Sequence, residues 1–505
     1  MNRRDIFRGL GTGFLSGLAA RLPLRAAAQR TAGIYERIGV VPVINCKGTF
    51  TIISGSQSLA EVKSAMDEAS RHYVHLDELM DAVGRRLAEL TKAEWGIVTA
   101  GCAAALTHAT AACIAGADPE RMQRLPDLTG LKNEVVMPRP SRNQYDHAIR
   151  MLGVKMITPN SREEFMAALR PSTAMIALLG EAVPHHPVPF EEMTAAARQR
   201  GIPLIVDAAA ERPTVPDKYL SRGADMVAYS GGKCMRGPQC AGLLLGRKDL
   251  LQAAWINSAP HHAFGRSLKV GKEEIMGMLA AVEAWAKRDH DAEWKQWEGW
   301  LGTIREKVSA IPTVRTEVEL PTGPSNYAPQ LRIAWDSAKL GATGLEVADA
   351  LLAGKPRIVM PAGESSLTVM PYMMMPGDDT VVAARVHEVL TNPPRRETPV
   401  SGAAGDPIGG QWDVEIAFVR GQASHTLFLE EREGRVVGEH RGELLSGDLR
   451  GTRQGDRVDL RTSHRYEGNS LSYRFQGTVA GRNMTGTVDL GEYGAAKFTA
   501  RRHWA

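Results

Sequence analysis

The chain has 505 residues, of which 43% are apolar and 6% aromatic, a composition typical of a globular protein with about two or three domains. Five of its 61 basic residues and one of its 57 acidic residues lie in residues 1–28, so positive and negative charges balance in the rest. This balance argues against a nucleic-acid partner, which needs a basic patch or stripe. Five cysteines, an odd number, do not suggest a disulfide framework, and without clustered histidines they predict no metal site.

The first 28 residues predict a twin-arginine-type signal. Arg3 and Arg4 precede an apolar, Gly-rich stretch at 9–20, and the small residues at 26–28 offer a cleavage site. The apolar stretch is short and ends at Arg21, so it does not predict a membrane span. We expect the protein to be exported to the periplasm, with a basic disordered tail as the alternative.

From Val40 to about Leu250, short apolar runs alternate with helical patterns, which predicts a mostly parallel sheet flanked by helices. The predicted strand 95–99 is followed by the small residues of 100–105 and an Ala-rich helix. The N–H groups at such a helix start bind phosphate, although small residues there also simply ease helix–sheet packing.

Polar residues follow the next predicted strands. Asn143 and Tyr145 lie where a side chain can cover or contact a bound ring, but a helix cap explains Asn143 equally well. Glu181 comes just after the apolar strand 173–179 and suits either a ligand contact or a cap.

A carboxylate and a lysine then follow two further predicted strands. Asp207 ends the apolar run 202–207, and Lys233 follows the strand 225–229 and two glycines. Pyridoxal phosphate (PLP) chemistry needs a lysine that forms a Schiff base with the cofactor aldehyde, and a carboxylate that keeps the pyridine nitrogen protonated. The order of these residues therefore predicts a PLP enzyme.

Two small side chains complete the predicted cofactor site. Ala209 lies two residues after Asp207, so we expect it on the same side of the chain, covering one face of the ring. Ser230 ends the strand before Lys233 and is placed to hydrogen-bond the cofactor phosphate.

The C-terminal half changes in character. A long helical stretch at 273–301 predicts the connection to a second domain, and the Gly-rich alternating runs after Gly410 predict a small antiparallel barrel or sandwich. The lack of catalytic clusters in this last part favours a lid, an oligomer contact or a binding module. The predicted boundaries are 1–28 for the signal, 34–300 for a large PLP-binding domain, 301–391 for a small α+β domain, 392–409 for a linker and 410–505 for the accessory β-domain.

Five stretches carry a family resemblance that spans residues 34–390. They are Val43-Ile-Asn-Cys-Lys-Gly-Thr49, Thr99-Ala-Gly-Cys-Ala-Ala104, Val206-Asp-Ala-Ala-Ala-Glu211, Ser230-Gly-Gly-Lys-Cys-Met-Arg-Gly-Pro-Gln-Cys-Ala-Gly242 and Gly265-Arg-Ser-Leu-Lys-Val-Gly-Lys-Glu-Glu274. On these residues the region resembles the fold-type I PLP enzymes of the selenocysteine synthase-like group, which includes D-glucosaminate-6-phosphate ammonia-lyase.

The resemblance implies a homodimer or larger assembly in which Lys233 carries the cofactor and Asp207 pairs with its pyridine nitrogen. It places the phosphate contacts at Gly101, Cys102, Ala103 and Ser230. Arg266 would approach a substrate or phosphate, with a surface salt bridge as the equal alternative. Arg357 is a candidate clamp for a substrate carboxylate, because guanidinium forks suit carboxylates, and Arg332 competes for that role.

The leading hypothesis is an exported PLP-dependent lyase that acts on a small amino acid or amino-sugar acid by α,β-elimination. A racemase, an aldolase, an aminotransferase or a selenocysteine synthase-like transferase would use the same residues. A non-catalytic periplasmic binding protein is the alternative from another class. The signal and the neutral charge argue against chemistry on transfer RNA, and the resemblance does not explain the C-terminal β-domain.

Overall fold

The computed structural model describes residues 33–394 and 407–503. The signal predicted at 1–28 and residues 395–406 of the predicted linker lie outside the described residues and stay predictions. The chain divides after Pro42 into two units. Residues 33–42 of the first contain a 3-10 turn at Glu36–Ile38, and the second unit starts at Val43.

Residues 43–308 contain strand β1, the strands of the large sheet and the helices around them. The strands are β1 (Val43–Asn45), β2 (Trp95–Thr99), β3 (Glu134–Val136), β4 (Lys155–Ile157), β5 (Thr173–Leu179), β6 (Leu204–Asp207), β7 (Met226–Ser230) and β8 (Gly242–Gly246). The helices are α1 (Ala60–Ser70), α2 (Leu76–Thr91), α3 (Cys102–Ala115), α4 (Pro119–Arg124), α5 (His147–Arg150), α6 (Arg162–Ala168), α7 (Phe190–Gln199), α8 (Lys248–Ile256), α9 (Lys272–Lys287) and α10 (His290–Val308).

Seven of these strands form one sheet in the order β2-β8-β7-β6-β5-β3-β4. Strand β8 runs antiparallel to β2 and β7, and the other neighbours are parallel. Strands such as β5 and β6 are almost entirely apolar, apart from Thr173 and Asp207 at their ends, because helices cover both faces of a parallel sheet. The predicted fold-type I architecture is confirmed, and the carboxyl ends of β6 and β7 lie at one edge, where ligands of such sheets bind.

The helical stretch predicted at 273–301 is two helices, α9 and α10, rather than one. Arg288 adopts an extended conformation, and the Asp289 side chain accepts a hydrogen bond from the N–H of Ala292, which starts a new helix. An aspartate in this position satisfies an N–H group that a continuous helix would have bonded to its own carbonyl. The resulting corner brings Arg288 to the loop after β7.

The small α+β part has its own core, formed by residues such as Leu331, Ile333 and Val386. A three-stranded antiparallel sheet has the order β12-β10-β9, and β11 pairs with β1 in parallel. Its elements are β9 (Val314–Glu319), β10 (Gln330–Trp335), α11 (Ser337–Leu340), α12 (Gly344–Ala353), β11 (Arg357–Val359), β12 (Ser366–Val369) and α13 (Asp378–Thr391).

The C-terminal part is a closed antiparallel barrel of eight strands, which confirms the predicted all-β fold. The strands are β13 (Gly410–Ala417), β14 (Gln422–Arg432), β15 (Arg435–Arg441), β16 (Ser446–Gln454), β17 (Arg457–Tyr466), β18 (Asn469–Ala480), β19 (Asn483–Asp489) and β20 (Ala495–Arg502). Alternate residues point inward, so Trp412, Leu460 and Phe475 form a separate core. Closure leaves the barrel without edge strands.

Three histidines that the sequence analysis did not single out cross this barrel interior in a row. Nδ1 of His425 lies 2.8 Å from Nε2 of His440, and Nδ1 of His440 lies 2.8 Å from Nε2 of His464. A side chain at Gly447 on the strand between them would overlap the His464 ring, so the glycine makes room for the row. Within residues 33–394 and 407–503, no helix has the length and apolar character needed to cross a membrane.

Candidate active site

Asp207 lies at the carboxyl end of β6, buried between Leu179 of β5 and Ala228 of β7. Its Oδ1 atom accepts hydrogen bonds from the backbone N–H of Ala209 at 3.1 Å and from Sγ of Cys102 at 3.5 Å. Its Oδ2 atom makes no hydrogen bond among the described residues. Burial raises the pKa of Asp207, and the Ala209 N–H and the Lys233 charge only partly oppose this. The carboxylate thus has an unused oxygen and a need for a positive partner.

Lys233 lies in the loop after β7 and is half-buried. Its charge acts on Asp207 and on Cys102, which places the amine at the same sheet edge. Nζ makes no hydrogen bond or ion pair within the described part of the chain. The lysine is therefore free to bond covalently to a ligand aldehyde.

Two glycines fold the loop that carries Lys233 back against the protein. A Cβ atom at Gly231 would lie 2.6 Å from Sδ of Met278 and 2.9 Å from the carbonyl oxygen of Ala241. A Cβ atom at Gly232 would lie 2.7 Å from Cα of Gln239. Real side chains do not fit at such distances, so these positions require glycine and fix where Lys233 leaves the strand.

The N-terminus of α3 and the end of β7 face each other across β8. Gly242 of β8 pairs with Thr99 on one side and Ser230 on the other. Gly101 precedes the helix with φ +88°, and no side chain caps its first N–H groups. A Cβ atom at Gly242 would overlap the backbone of Gly101, so this glycine lets the uncapped helix start approach Ser230. Free N–H groups and a hydroxyl are what a phosphate needs.

Ala209 and the segment 139–146 border the site. The carbonyl of Ala209 accepts a hydrogen bond from the N–H of Ser230 at 3.3 Å, which ties the two predicted cofactor residues together. The Oγ of Ser141 accepts from the N–H of Leu179 at 2.8 Å, beside Asp207 in the sheet. The segment therefore begins about two strand spacings, roughly 10 Å, from the carboxylate.

Asn143 and Tyr145 follow Ser141 in this segment. Oδ1 of Asn143 accepts from the N–H of Tyr145 at 2.7 Å, and Nδ2 donates to the carbonyl of Ser141 at 2.9 Å. These contacts are those of a cap on a short 3-10 turn, which was one of the two interpretations open from the sequence. The Tyr145 ring is exposed.

The barrel contacts this same segment through the turn between β17 and β18. Arg142 forms ion pairs with Glu467 of that turn and, at 2.6 Å, with the buried Asp146. A Cβ atom at Gly468 would overlap the backbone of Asn143, so the barrel turn and the segment 139–146 touch directly. The accessory barrel thus reaches the rim of the candidate active site.

The remaining predicted substrate contacts lie further out. Glu181 is exposed on the turn after β5, where its charge contributes to the raised pKa of Asp207. Arg266 is exposed next to Gly265, which packs on the buried His108. Arg357 on β11 donates from Nε to the carbonyl of Leu352 at 2.9 Å. Arg332, its competitor, is exposed and lies 3.8 Å from Glu319.

Three arginines that sequence analysis missed face the Lys233 loop. Arg212 directly follows the Val206–Glu211 stretch, and Arg236 lies inside the Ser230–Gly242 stretch, so their position in those stretches was an available signal. Arg288 donates hydrogen bonds to the carbonyls of Cys234 at 2.9 Å and of Met235 at 3.2 Å. Its role depends on the corner between α9 and α10, which the sequence pattern does not show.

These residues fit PLP. Lys233 offers an amine without a competing partner, and Asp207 offers a buried oxygen for a protonated pyridine nitrogen. The uncapped start of α3 and Ser230 offer donors for the phosphate. Among the described residues, no group of three or more His, Cys, Asp or Glu side chains is arranged to hold a metal ion.

Comparisons with known proteins agree with this geometry. Residues 149–265 match the family model described as aminotransferase class-V. The 5'-C-glycyluridine monooxygenase-decarboxylase of a Streptomyces species is 30% identical over 70% of this chain and 92% of its own length. The D-glucosaminate-6-phosphate ammonia lyase of Salmonella typhimurium is 28% identical over 71% of this chain and 98% of its own.

A further relative and a solved structure also match this chain. An L-seryl-tRNA(Sec) selenium transferase of Rhizobium meliloti is 26% identical over 65% of this chain and 74% of its own. A solved structure of D-glucosaminate-6-phosphate ammonia-lyase superposes with a TM-score of 0.64 at 28% identity, covering 72% of this chain and 99% of that one. The predicted resemblance is therefore confirmed, and PLP is the cofactor that it implies.

Proposed function

This chain belongs to the fold-type I PLP-dependent enzymes, in the group of D-glucosaminate-6-phosphate ammonia-lyase and the selenocysteine synthase-like proteins, and we propose that it is a lyase. Its substrate would be a small amino acid or amino-sugar acid, and its reaction an α,β-elimination that releases ammonia. One observation carries the proposal: Asp207 ends β6 and Lys233 follows the adjacent β7, and each has a polar atom that makes no hydrogen bond among the described residues.

Bound PLP supplies an acceptor for the electron pair that is released when a bond to the substrate Cα breaks. The Lys233 amine, at the same sheet edge as Asp207, would take the Cα proton once the substrate amine has displaced it from the cofactor. The Asp207 carboxylate would hold the pyridine proton, while the Ala209 N–H and Cys102 donate to its Oδ1 and fix its position. The β-substituent leaves with its bonding electrons. The free enamine product then takes up water and gives ammonia and a 2-oxo acid.

Cys102 is a positioning residue for this carboxylate. Burial raises the pKa of the Cys102 thiol well above its ordinary value, and the negative charge of Asp207 adds to the effect. The thiol therefore stays protonated and donates to Asp207 at neutral pH. A second donor on Oδ1 lowers the cost of keeping the carboxylate charged.

A second candidate reaction is an oxidative decarboxylation, favoured by the relative named as a monooxygenase-decarboxylase. The same lysine and carboxylate would serve it, because fold and cofactor do not select the reaction type. It would consume molecular oxygen and release carbon dioxide, whereas the elimination requires neither.

The test is a survey of D- and L-amino acids and amino-sugar acids with the PLP-loaded protein, in air and under nitrogen. We expect equal amounts of ammonia and 2-oxo acid in both atmospheres. Lys233→Ala should form no product, and Lys63→Ala, at an exposed lysine of α1, should match the wild type. Product only in air, with carbon dioxide, would establish the second candidate. Full activity of Lys233→Ala would overturn both.

We also propose that the protein is exported and forms a homodimer or larger assembly, and that it does not bind nucleic acid. The twin arginines at residues 3–4 support export, the neutral charge after residue 28 argues against nucleic-acid binding, and the family resemblance implies the assembly. Cell fractionation, light scattering and filter binding to transfer RNA test them in turn. Retention of the full-length protein in the cytoplasm, a monomeric mass or salt-resistant RNA binding would each contradict the corresponding proposal.

A further inference from the structure

A groove of about 550 Å³ lies on the outer surface of the barrel. Arg450 of β16, Arg461 of β17 and Arg474 of β18 line it. In the register of these strands, Arg461 lies directly opposite Arg450 on one side and Arg474 on the other. We call the three residues the arginine row, and the space that they line the barrel groove. The function proposed above gives them no role.

A row of like charges across three strands needs a counter-charge. Directly opposite residues have Cβ atoms about 4.5–5.5 Å apart, and like charges at that distance destabilise a sheet. The Asp459 carboxylate accepts hydrogen bonds from Nη2 of Arg474 at 2.7 Å and from Nε of Arg461 at 3.4 Å. Although burial opposes the change, these two arginines lower the pKa of Asp459. One carboxylate therefore serves two of the three guanidinium groups.

Arg450, at one end of the row, has no such partner. It is exposed, and it makes no hydrogen bond, and no ion pair within 4 Å, in the part of the chain that the structure describes. Its opposite neighbour on β15 is Val437, which is 51% exposed and carries no charge. The five N–H donors of the Arg450 guanidinium are therefore available to a ligand.

Two further carboxylates, those of Asp448 and Asp489, line the barrel groove. Asp448 lies two residues before Arg450 and so on the same face of β16, but it forms no ion pair with Arg450 within 4 Å. Asp489 of β19 lies opposite Arg474. The hydrogen bond to Asp459 chiefly raises the pKa of Arg474, and the Asp489 charge adds to this effect. The arginine row therefore has a carboxylate beside each of its ends.

The start of β18 gives the barrel groove its second wall. Pairing between β18 and β19 begins only at Arg474, so residues 469–473 of β18 have no partner on β19. The chain after β19 instead forms a 3-10 turn at Gly491–Tyr493, and Nδ2 of Asn469 donates to the hydroxyl oxygen of Tyr493 at 2.8 Å. The volume enclosed here is within the range of about 300–1,000 Å³ that is usual for small-molecule sites.

The lining of the barrel groove combines two kinds of hydrogen-bonding group. Guanidinium forks bind carboxylate oxygens in pairs of hydrogen bonds. The aspartates, together with Ser463 and Ser472, which lie opposite each other on β17 and β18, accept hydrogen bonds from hydroxyl groups. A chain of phosphates would bring further negative charge close to both aspartates, and like charges repel. The groove is therefore suited to one carboxylate on a body rich in hydroxyl groups.

We propose that the barrel groove binds a sugar acid, either free or as an acidic unit of a saccharide chain, and that the barrel is a binding module for it. Arg450 binds the carboxylate, with Arg461 beside it, and the aspartates and serines bind the hydroxyl groups. The bound carboxylate supplies the counter-charge that Arg450 lacks. The groove is formed by the barrel alone, so the proposal does not depend on the reaction at Lys233.

Ligand-observed NMR titration of the PLP-loaded full chain tests the proposal. The probes are D-glucuronate, a galacturonate hexamer, D-glucose and inorganic phosphate. We expect the wild type to bind at least one of the two acidic sugars, and to bind glucose and phosphate at least about tenfold more weakly, because each of them lacks one of the two kinds of contact. Tighter binding of the hexamer would identify a saccharide chain as the source of the ligand, and tighter binding of glucuronate the free acid.

Variants of Arg450 assign the binding to the barrel groove. Arg450→Gln should bind the acidic sugar at least about tenfold more weakly than the wild type, and Arg450→Lys should fall between them. Arg420→Gln, at an exposed arginine in the turn between β13 and β14, is the matched control and should bind like the wild type. Arg450 has no partner among the described residues, so Arg450→Gln should resist urea as well as the wild type does, which separates loss of the site from loss of the fold.

Three results would overturn the proposal. The first is a wild type that binds neither glucuronate nor the hexamer. The second is an affinity of Arg450→Gln equal to that of the wild type, which would place the binding elsewhere in the chain. The third is phosphate binding as tight as that of the acidic sugars, which would show that the hydroxyl groups make no contribution.

Discussion

The sheet edge around Lys233 and the interior of the barrel both contain polar side chains, but these side chains are hydrogen-bonded within the protein to different extents. At the sheet edge, Oδ2 of Asp207, Nζ of Lys233 and the Arg212 guanidinium make no hydrogen bond or ion pair among the described residues. In the barrel, His425 and His440 are hydrogen-bonded to neighbouring rings and Arg453 pairs with Glu431 at 3.0 Å, whereas Nδ1 of His464 is buried without a hydrogen bond in the described residues. A buried atom without a partner costs about 1–3 kcal/mol, and the unpaired atoms at the sheet edge are those that a cofactor can pair with.

The sheet edge is therefore suited to ligand binding, and the barrel interior to structural packing. The sheet edge is where bonds can be made to a cofactor and a substrate. The barrel interior is a packed core in which the three histidines are hydrogen-bonded to one another in a row. We therefore expect any role of the barrel to lie on its outer surface, where the Glu467–Gly468 turn contacts residues 142–143.

The largest effect is expected from removing the carboxylate at the sheet edge. Asp207→Ala should keep PLP bound to Lys233 but lower kcat by a factor on the order of 10³, because an unprotonated ring is a poor electron acceptor. Steady-state kinetics and the visible spectrum measure the two effects. Asp67→Asn, at an exposed aspartate that pairs with Arg71, is the control. Near-normal turnover of Asp207→Ala would refute the role given to this residue.

A smaller effect, on the stability of the barrel, is expected when the pH is lowered. Burial, and then the neighbouring His425 and His464, lower the pKa of His440 from 6.5 to about 3. The unfolded chain therefore binds a proton below pH 6.5 that the folded barrel does not accept until about pH 3. Falling pH favours unfolding, by about 2 kcal/mol between pH 6.5 and 4.5.

Pulse proteolysis of the barrel in urea, at several pH values, measures this dependence in the whole chain. The pKa of His425 is also lowered, while Glu415 and Glu443 oppose that shift, so His425 should add to the slope. His440→Phe should flatten the profile, and His72→Asn, at an exposed histidine of the large domain, should not. A barrel equally stable at pH 6.5 and 4.5 would contradict the lowered pKa of His440.

A third prediction concerns the contact between the two regions. Gly468→Val should push the barrel turn away from Asn143, because a side chain at that position overlaps its backbone. We expect amide hydrogen exchange in residues 139–146 to rise on the order of tenfold while the barrel strands stay protected. Gly409→Val is the matched control, since a Cβ atom there meets only the carbonyl oxygen of Leu429, at 3.6 Å. Unchanged exchange would show that the turn does not hold the segment.

The smallest effect is expected at Arg332. Its partner Glu319 is 3.8 Å away and both side chains are exposed, so Arg332→Gln should change the free energy of unfolding by less than about 1 kcal/mol. It should also leave KM unchanged, because the partner of Arg332 is Glu319 and not a residue of the candidate active site. A rise in KM of about tenfold or more would restore Arg332 as a substrate clamp.

The sequence was most informative where chemistry fixes a residue type at the end of a strand. Asp207 and Lys233 were predicted because PLP needs both groups and because buried parallel strands appear as short apolar runs. The barrel followed from the period-two alternation after residue 410. The break between α9 and α10 was not predicted, because it depends on the hydrogen bond from Ala292 to Asp289.

Local sequence patterns could not predict the contacts between segments that are distant in the sequence. Arg212 and Arg288 both lie against the Trp285 ring, and Arg288 reaches the Lys233 loop at the corner between α9 and α10. The rings around Arg212 come from two different domains. The histidine row depends on the register of β14 to β17 and on the space at Gly447. Each of these features is set by tertiary packing, which local periodicity does not encode.

The most direct test of the central claim is chemical fixation of the cofactor. The PLP-loaded protein and its Lys233→Ala variant would be treated with borohydride, digested and analysed by mass spectrometry, with visible spectra before and after. We expect a visible band in the wild type that borohydride bleaches, and a pyridoxyl group on Lys233, with neither in the variant. No band in the loaded wild type, or a pyridoxyl group on another lysine, would contradict the account.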